Sequence, residues 1–269
     1  MAITALGSAA SGLRALSTSI DVISNNLSNA ETTAFKGSRV NFEDLMYQTY
    51  RAPGTVSSSG DISPNGIFVG LGTKISGTEL NMSQGSLSNT NNPLDLGIQG
   101  NGFFRVKILS TLGDGTAYTR AGNFNINSNG MLVLGLGDGY QLIPPITIPT
   151  GVTQITISQS GNVSVIKPGA SAQSSVGQIK LTQFVNPQGL NLLGGSLYQE
   201  TQSSGAPIDS LPGVNGAGTI LQNYLEASNV DPVTEMVSLI KVQRSFELNS
   251  QSIQSADQAL QTISNLRRS

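Results

Sequence analysis

Apolar residues near the N-terminus advance by alternating steps of three and four: Leu6, Ala9, Leu13, Leu16, Ile20, Ile23 and Leu27. That spacing lays one narrow apolar stripe along an α-helix, the a/d seam of a heptad repeat. A second and longer seam lies at the other end, through Leu239, Val242, Phe246, Asn249, Ile253, Ala256, Leu260 and Ile263. Asp231-Pro232 marks its start, because aspartate accepts from the free amides of a first turn and proline gives up no needed hydrogen bond there. Met236, Ile240 and Leu266 lie beside this stripe and widen it. Neither seam is broad enough to build a globule alone, so the pattern predicts two long terminal helices that pair antiparallel within the chain. Heptads also serve oligomers, and the widened stripe leaves apolar surface for another partner.

The middle of the chain has a different grammar. All 11 prolines lie between Pro53 and Pro232, and no glycine follows Gly218. Short β-prone runs are separated by these breakers: 103–108, 146–148, 154–157, 162–166 and 178–182. Asn129-Gly130, between Phe124-Asn125-Ile126 and Met131-Leu132-Val133, predicts a tight hairpin turn. The expected fold class is therefore α+β, with long N- and C-terminal helices forming a coiled-coil pair around an inserted β-rich domain. The predicted partition assigns 1–34 and 226–269 to the helical domain and 94–204 to the β-rich domain. Residues 35–93 and 205–225 form an extended connecting region. Within it, 51–72 reads as a long loop without periodicity, of a length that is usually functional or ordered by a partner. Its serine and glycine content suits a disordered loop equally well.

Composition narrows the function. Charged residues make up only 11% of the 269, with a net charge of -2, while 96 Ser, Thr, Asn and Gln supply neutral polarity. With no His and no Cys, the sequence excludes a Ser-His-Asp triad, a thiol nucleophile, disulfides and the usual zinc and iron–sulfur ligands. Lys and Arg gather only at Arg267-Arg268, which leaves no basic footprint for nucleic acid. The apolar runs are far shorter than the ~20 residues that span a bilayer, so no direct membrane insertion is expected. The N-terminus has no basic residue before Arg14 and does not read as a secretory signal.

Three local motifs resemble chemistry and fail on inspection. Asn125–Gly130 imitates the opening of a calcium loop but places Leu136 where a bidentate glutamate is needed. Gly135-Leu136-Gly137-Asp138-Gly139 is followed by no Lys-Ser/Thr pair, so it reads as a turn and not as a phosphate cradle. The acids of the middle region sit in turn-like contexts where a solvated carboxylate is ordinary. No catalytic residue, cofactor or metal site is expected.

The segments flanking the helices are more specific. The stretch Asn25-Asn26-Leu27-Ser28-Asn29, followed by Thr33-Ala34-Phe35-Lys36, resembles the N-terminal signature of the bacterial flagellar axial proteins of rod and hook, with Ala34 where that family usually has glycine. Leu94–Phe104 and Ala117–Phe124 resemble the start of the family's β-domain. Tyr224–Asp231, which includes Asn229, and Val242–Asn249, which includes Gln243 and Arg244, resemble its C-terminal signature. Gln202–Pro207 and Gly213–Gly218 are similar to the distal rod branch, and the chain length fits that branch better than the hook.

The resemblance implies a non-enzymatic structural subunit of the distal rod, the flagellar drive shaft, with a proximal rod or hook subunit as the alternative. It implies a self-assembled helical homopolymer whose terminal helices line the inner tube. The packing residues would be Leu6, Leu13, Leu16, Ile20, Ile23 and Leu27 with Leu239, Val242, Phe246, Ile253, Leu260 and Ile263. Further partners would be other rod proteins, the hook protein, the ring proteins that act as bushings and the flagellar type III export apparatus. Its location would be the basal body in the periplasmic space, reached without a cleaved signal peptide. By the same resemblance, Ile67, Phe68 and Val69 belong to a segment that stiffens the rod through contacts between neighbouring subunits.

Overall fold

The structure, a computed structural model, describes residues 2–54, 64–108, 115–169 and 172–266. The chain divides into two compact units: Met1–Ser28, Ser38–Glu79 and Asp231–Ser269 form one, and Asn29–Gly37 with Leu80–Val230 form the other. Residues 80–93 and 205–225 thus belong with the β-rich unit, where the sequence expected a connecting region.

The first unit contains helix α1 (Ala2–Ser28), strands β1 (Ser38–Asp44), β2 (Tyr47–Arg51), β3 (Ile67–Gly70) and β4 (Thr73–Leu80), and helix α2 (Pro232–Leu266). Asp231 starts α2 as its sequence suggests: a carboxylate oxygen accepts from the Val233 amide at 3.0 Å, and Thr234 Oγ1 donates to the other at 2.7 Å. These bonds, the threonine's first, hold the Asp231 carboxyl below its usual range. The helices run past each other in opposite directions, since Asn26 of α1 donates to Glu235 of α2 at 3.3 Å while Gly12 lies against Asn249.

The segment read as a loop over 51–72 contains a strand. β2 pairs antiparallel with β3 in the register Tyr47↔Gly70 to Arg51↔Ile67, and β1 pairs with β4. Leu45 N–H to Gly72 O, 2.8 Å, and Leu71 N–H to Met46 O, 3.3 Å, carry the ladder between the two pairs. Residues 38–54 and 64–80 therefore form a two-stranded ribbon, and residues 55–63 lie outside the described residues. No alternation betrays it, because β2 is exposed on both faces. Helix α1 lies close along the ribbon: Ser11 Oγ accepts from the Thr73 amide at 3.1 Å, and Gly72, at φ +116°, has no room for a side chain beside Ser8 and Ser11.

The second unit holds the core. Its strands are β5 (Leu87–Asn89), β6 (Leu96–Gln99), β7 (Phe104–Lys107), β8 (Thr116–Thr119), β9 (Phe124–Ile126), β10 (Leu132–Leu134), β11 (Gln141–Ile143) and β12 (Gln154–Ile157). They continue with β13 (Asn162–Ile166), β14 (Ser174–Gln178), β15 (Leu181–Gln183), β16 (Asn191–Gly194), β17 (Leu197–Gln199), β18 (Ile208–Ser210), β19 (Thr219–Gln222) and β20 (Tyr224–Glu226). Among the described residues, the largest sheet has seven strands in the order β16-β17-β8-β7-β11-β10-β9. Phe104, Phe124, Val106, Leu132, Leu142, Ile98 and Ile220 fill the core behind it. Phe103, Tyr118, Phe184 and Tyr198 form a second cluster of edge-to-face rings with centroids 4.8–5.9 Å apart.

The hairpin predicted around Asn129-Gly130 is present but wider than two residues. Leu132 pairs with Ile126, and Asn127 Oδ1 organises the turn by accepting from the Asn129 and Met131 amides. The predicted strand 146–148 is reduced to a single bridge, Met131↔Thr147, and 178–182 is divided between β14 and β15.

Candidate functional site

The family-motif residues gather in two hydrogen-bonded clamps and one buried ionic cluster. Asn26, buried on α1, holds the first residue of β1 as a neighbouring strand would: its Nδ2 donates to Ser38 O at 2.8 Å and its Oδ1 accepts from the Ser38 amide at 2.9 Å. Asn229 makes the second clamp in the β-rich unit. Its Oδ1 accepts from the Gly37 amide at 2.9 Å, and its Nδ2 donates to Asn81 O at 2.7 Å and Ser83 O at 3.1 Å. The segment entering that unit is thus tied to the segment leaving it, with Phe35 O accepting from the Asn229 amide at 3.3 Å.

Between these segments sits Lys36, with its side chain wholly buried against an equally buried Glu226. Lys36 Nζ donates to Glu226 Oε1 and to Ser83 O, both at 2.6 Å. The other carboxylate oxygen accepts from Arg120 Nε at 2.7 Å, and the Gly85 amide donates to Oε1 at 2.9 Å. Arg120 spends its remaining reach on Gly102 O at 2.9 Å and Gly100 O at 3.0 Å. Two cations against one carboxylate leave a positive excess that the carbonyl dipoles of Ser83, Gly100 and Gly102 face. Burial lowers the Lys36 ammonium below its usual pKa, Glu226 opposes that change, and Arg120 adds to it.

Ala34 ends the turn that brings Lys36 inward. It sits at φ +56°, wholly buried, with its amide donating to Glu226 O at 2.8 Å. This left-handed conformation is strained for a residue with a Cβ, which is the physical reason a glycine suits the position.

The predicted packing residues fall on one stripe of each helix, but the stripes are covered unequally. On α1, Ile23 is buried and Leu6, Leu13, Leu16, Ile20 and Leu27 are half-buried. On α2, Leu239, Val242, Phe246, Ile253 and Leu260 are half-buried; the Ile263 side chain lies outside the described residues. The face of α2 beside that stripe stands open, with Val233, Met236, Val237, Ile240 and Leu248 between 47% and 70% exposed. The ribbon is similar: Phe42, Met46, Tyr47, Tyr50, Ile67 and Phe68 are exposed, and Val69 is half-buried.

The other motif residues have local roles. Asn29 Oδ1 accepts from Thr32 Oγ1 at 3.0 Å just past the end of α1. Gln243 is exposed, and Arg244 pairs with Glu247 one turn along α2 at 3.1 Å, both largely in solvent. Asn25 is exposed at the last turn of α1. Arg120 and Glu226 lie inside the motifs Ala117–Phe124 and Tyr224–Asp231, but no local pattern in the sequence assigns either a role. The available signal was charge inside strand-forming segments of a chain that has few charges to spend. Among the described residues no cluster of three acidic side chains could hold a metal, and no helix is long and apolar enough to cross a membrane.

Comparisons with known proteins match three parts of the chain. Residues 6–36 match the family described as flagella basal body rod protein, 97–165 the flagellar hook protein FlgE/F/G D1 domain, and 221–266 the flagellar basal body rod FlgEFG protein C-terminal. The chain is 48% identical over 264 residues to the flagellar basal-body rod protein FlgG of Caulobacter vibrioides, covering 98% of this chain and 99% of the relative. It is 43% identical to the FlgG of Borreliella burgdorferi and 38% identical to that of Bacillus subtilis, each across 98% of both chains. The signatures at both ends, the clamps built from them and likeness along the whole length agree: the chain belongs to the flagellar basal-body rod proteins of the FlgG family.

Proposed function

We propose that the chain is a non-enzymatic structural subunit of the distal rod, stacking on copies of itself into a rigid helical tube that carries motor torque to the hook. The observation that carries this reading is where most of the large exposed apolar residues lie: on the open face of α2 and along the ribbon, in a unit that buries little by itself. A contact between two different faces of identical subunits does not close on itself and generates an open helical polymer. In this reading the seams of α1 and α2 interlock as a coiled coil and, with neighbouring copies, form the inner tube. The β-rich unit lies outside it and meets the ring proteins. Other rod proteins and the hook protein cap the two ends, and the type III export apparatus delivers the chain to the periplasmic side. Sparse charge favours such a polymer, because identical surfaces repel one another weakly.

The ribbon gives the reading its finer part. Ile67, Phe68 and Val69, already held in the ribbon, contact the adjacent subunit and stiffen the tube. Electron microscopy of purified protein under assembly conditions tests the reading: straight tubes are expected, and basal bodies from a null strain should stop at the rod. Deleting 51–72 should leave a folded subunit whose tubes bend. Globular monomers at every concentration, with complete rods in the null strain, would overturn the assignment; straight, stiff tubes from the deletion would overturn the role of the ribbon.

A further inference from the structure

The chain carries four Asn-Gly pairs, Asn65-Gly66, Asn101-Gly102, Asn129-Gly130 and Asn215-Gly216. This dipeptide ages by an intramolecular reaction. The backbone nitrogen of the glycine attacks the asparagine side-chain carbonyl carbon and loses its proton to solvent. The new C–N bond closes a five-membered imide as ammonia leaves, and water then opens either imide carbonyl to give aspartate or isoaspartate. No oxidant, reductant or other reactant takes part. The step needs an accessible glycine nitrogen, a side chain free to swing over it and space for the ring.

The fold treats the four pairs very differently. Gly130 is buried, its amide donates to Asn127 O at 2.9 Å, and an added atom on its Cα would lie 2.5 Å from Ile148 O. Gly102 is buried at φ +138° against Leu181, and its carbonyl is taken by Arg120. Gly66 is crowded by the Phe68 ring and Arg51 O, and Arg51 Nη2 donates to Asn65 O at 3.3 Å. Asn215 and Gly216 are both exposed at the tip of a turn, at φ +52° and +78°, and nothing lies within 4 Å of a Cβ built on Gly216. The turn is closed on either side of them by Ala217 N–H to Val214 O and Gly213 N–H to Gly218 O, neither of which uses the Gly216 nitrogen.

We infer that Asn215 is the site at which the folded chain converts spontaneously to aspartate and isoaspartate, while the other three pairs are protected by the fold. The product carries one more negative charge on a chain whose net charge is only -2. Isoaspartate also adds a backbone methylene to a turn whose far side holds Gly218 N–H against Asn101 O at 2.7 Å. A long-lived structural subunit would accumulate this change with age.

The test uses the intact chain in two states, native and unfolded in urea, held at mildly alkaline pH and sampled over time by peptide mapping. In urea the four sites have equal freedom and should convert at similar rates. In the native chain, position 215 should convert roughly tenfold or more faster than 65, 101 and 129, the ratio that one broken hydrogen bond or steric contact of ordinary size imposes. Equal rates in the native chain, or another site converting first, would overturn the inference. So would a native position 215 that stays intact while the same site in urea converts fully.

Discussion

The two units are built from similar residues and bury them to opposite degrees. In the β-rich unit Phe104, Phe124, Leu96, Ile98, Leu142 and Ile220 are within 0–1% of complete burial. In the helix-and-ribbon unit, among the described residues of 2–28, 38–79 and 231–266, only Ala15 and Ile23 join the buried hydrophobics, while Met46 is 82% exposed and Leu248 64%. The β-rich unit closes a continuous apolar core within one chain, although Val185, Leu192 and Ile208 stay exposed on its surface. The helix-and-ribbon unit has the seams and the ribbon but leaves much of their apolar area in water, at about 25 cal/mol for each Å² that a neighbour could cover. Folding and assembly are thus assigned to different parts of one sequence, and the contrast can be broken at several points.

The largest effects should come from the β-rich unit. Glu226→Gln leaves Lys36 and Arg120 buried without their counter-charge, and a broken buried pair costs about 3–5 kcal/mol. Urea denaturation should show a loss of that order, a large fraction of a marginal ~5–15 kcal/mol total. Phe104→Ala should cost a comparable ~3–5 kcal/mol by emptying a closed core. A variant of either kind that melts like the parent would mean that the core is less closed than its burial indicates.

Alkaline pH should act next. Burial, helped by its hydrogen bond to Glu200, raises the Tyr118 phenol to about 12, and burial raises Tyr198 as well. Between the ordinary value near 10 and these raised values the unfolded chain releases phenolic protons that the folded one keeps, so stability falls as pH rises. Two pKa units on Tyr118 correspond to ~2–3 kcal/mol. Lys36, lowered by burial, works in the opposite sense, since below its ordinary pKa the unfolded chain holds the proton more tightly. Stability of the β-rich unit should hold or rise up to about pH 10 and decline beyond it; Tyr118→Phe should reduce the decline.

Changes in the other unit should be small in the monomer. Phe246→Ala removes a half-buried ring and should cost only about 1 kcal/mol, roughly half of what full burial of such a side chain is worth, yet it should weaken tubes more than it weakens the subunit. Ala34→Gly should be smaller again. Relief of left-handed strain, ~1–2 kcal/mol, is offset by glycine's chain entropy of ~0.5–1 kcal/mol and by ~0.8 kcal/mol for the lost buried methyl. Thermal melts should therefore place Ala34→Gly within ~1 kcal/mol of the parent, whereas Ala34→Val, whose branched Cβ tolerates φ +56° poorly, should melt well below it.

How far the fold could be read in advance followed the same division. Both helices were legible because their stripes repeat over many turns and breakers are absent from the ends. β12 and β13 were legible because a short run of β-branched residues between glycine-rich turns has few alternatives. The ribbon was not, because Tyr47, Gln48, Thr49 and Tyr50 are exposed on both faces and carry no alternation for burial to impose. At the site, Lys36 and Asn229 were found through the motifs that contain them. The cluster joining Lys36 to Arg120 and Glu226 depends on contacts up to 190 residues apart, which no local pattern encodes.

The central claim, that one unit is complete and the other waits for neighbouring copies, is tested most directly by hydrogen–deuterium exchange on the monomer and on assembled tubes. The amides of β7, β8, β10 and β11 should be protected in both states. Those of α1, α2 and the ribbon should exchange readily in the monomer and become protected in the tube. Equal protection of the helices and ribbon in both states would contradict the account.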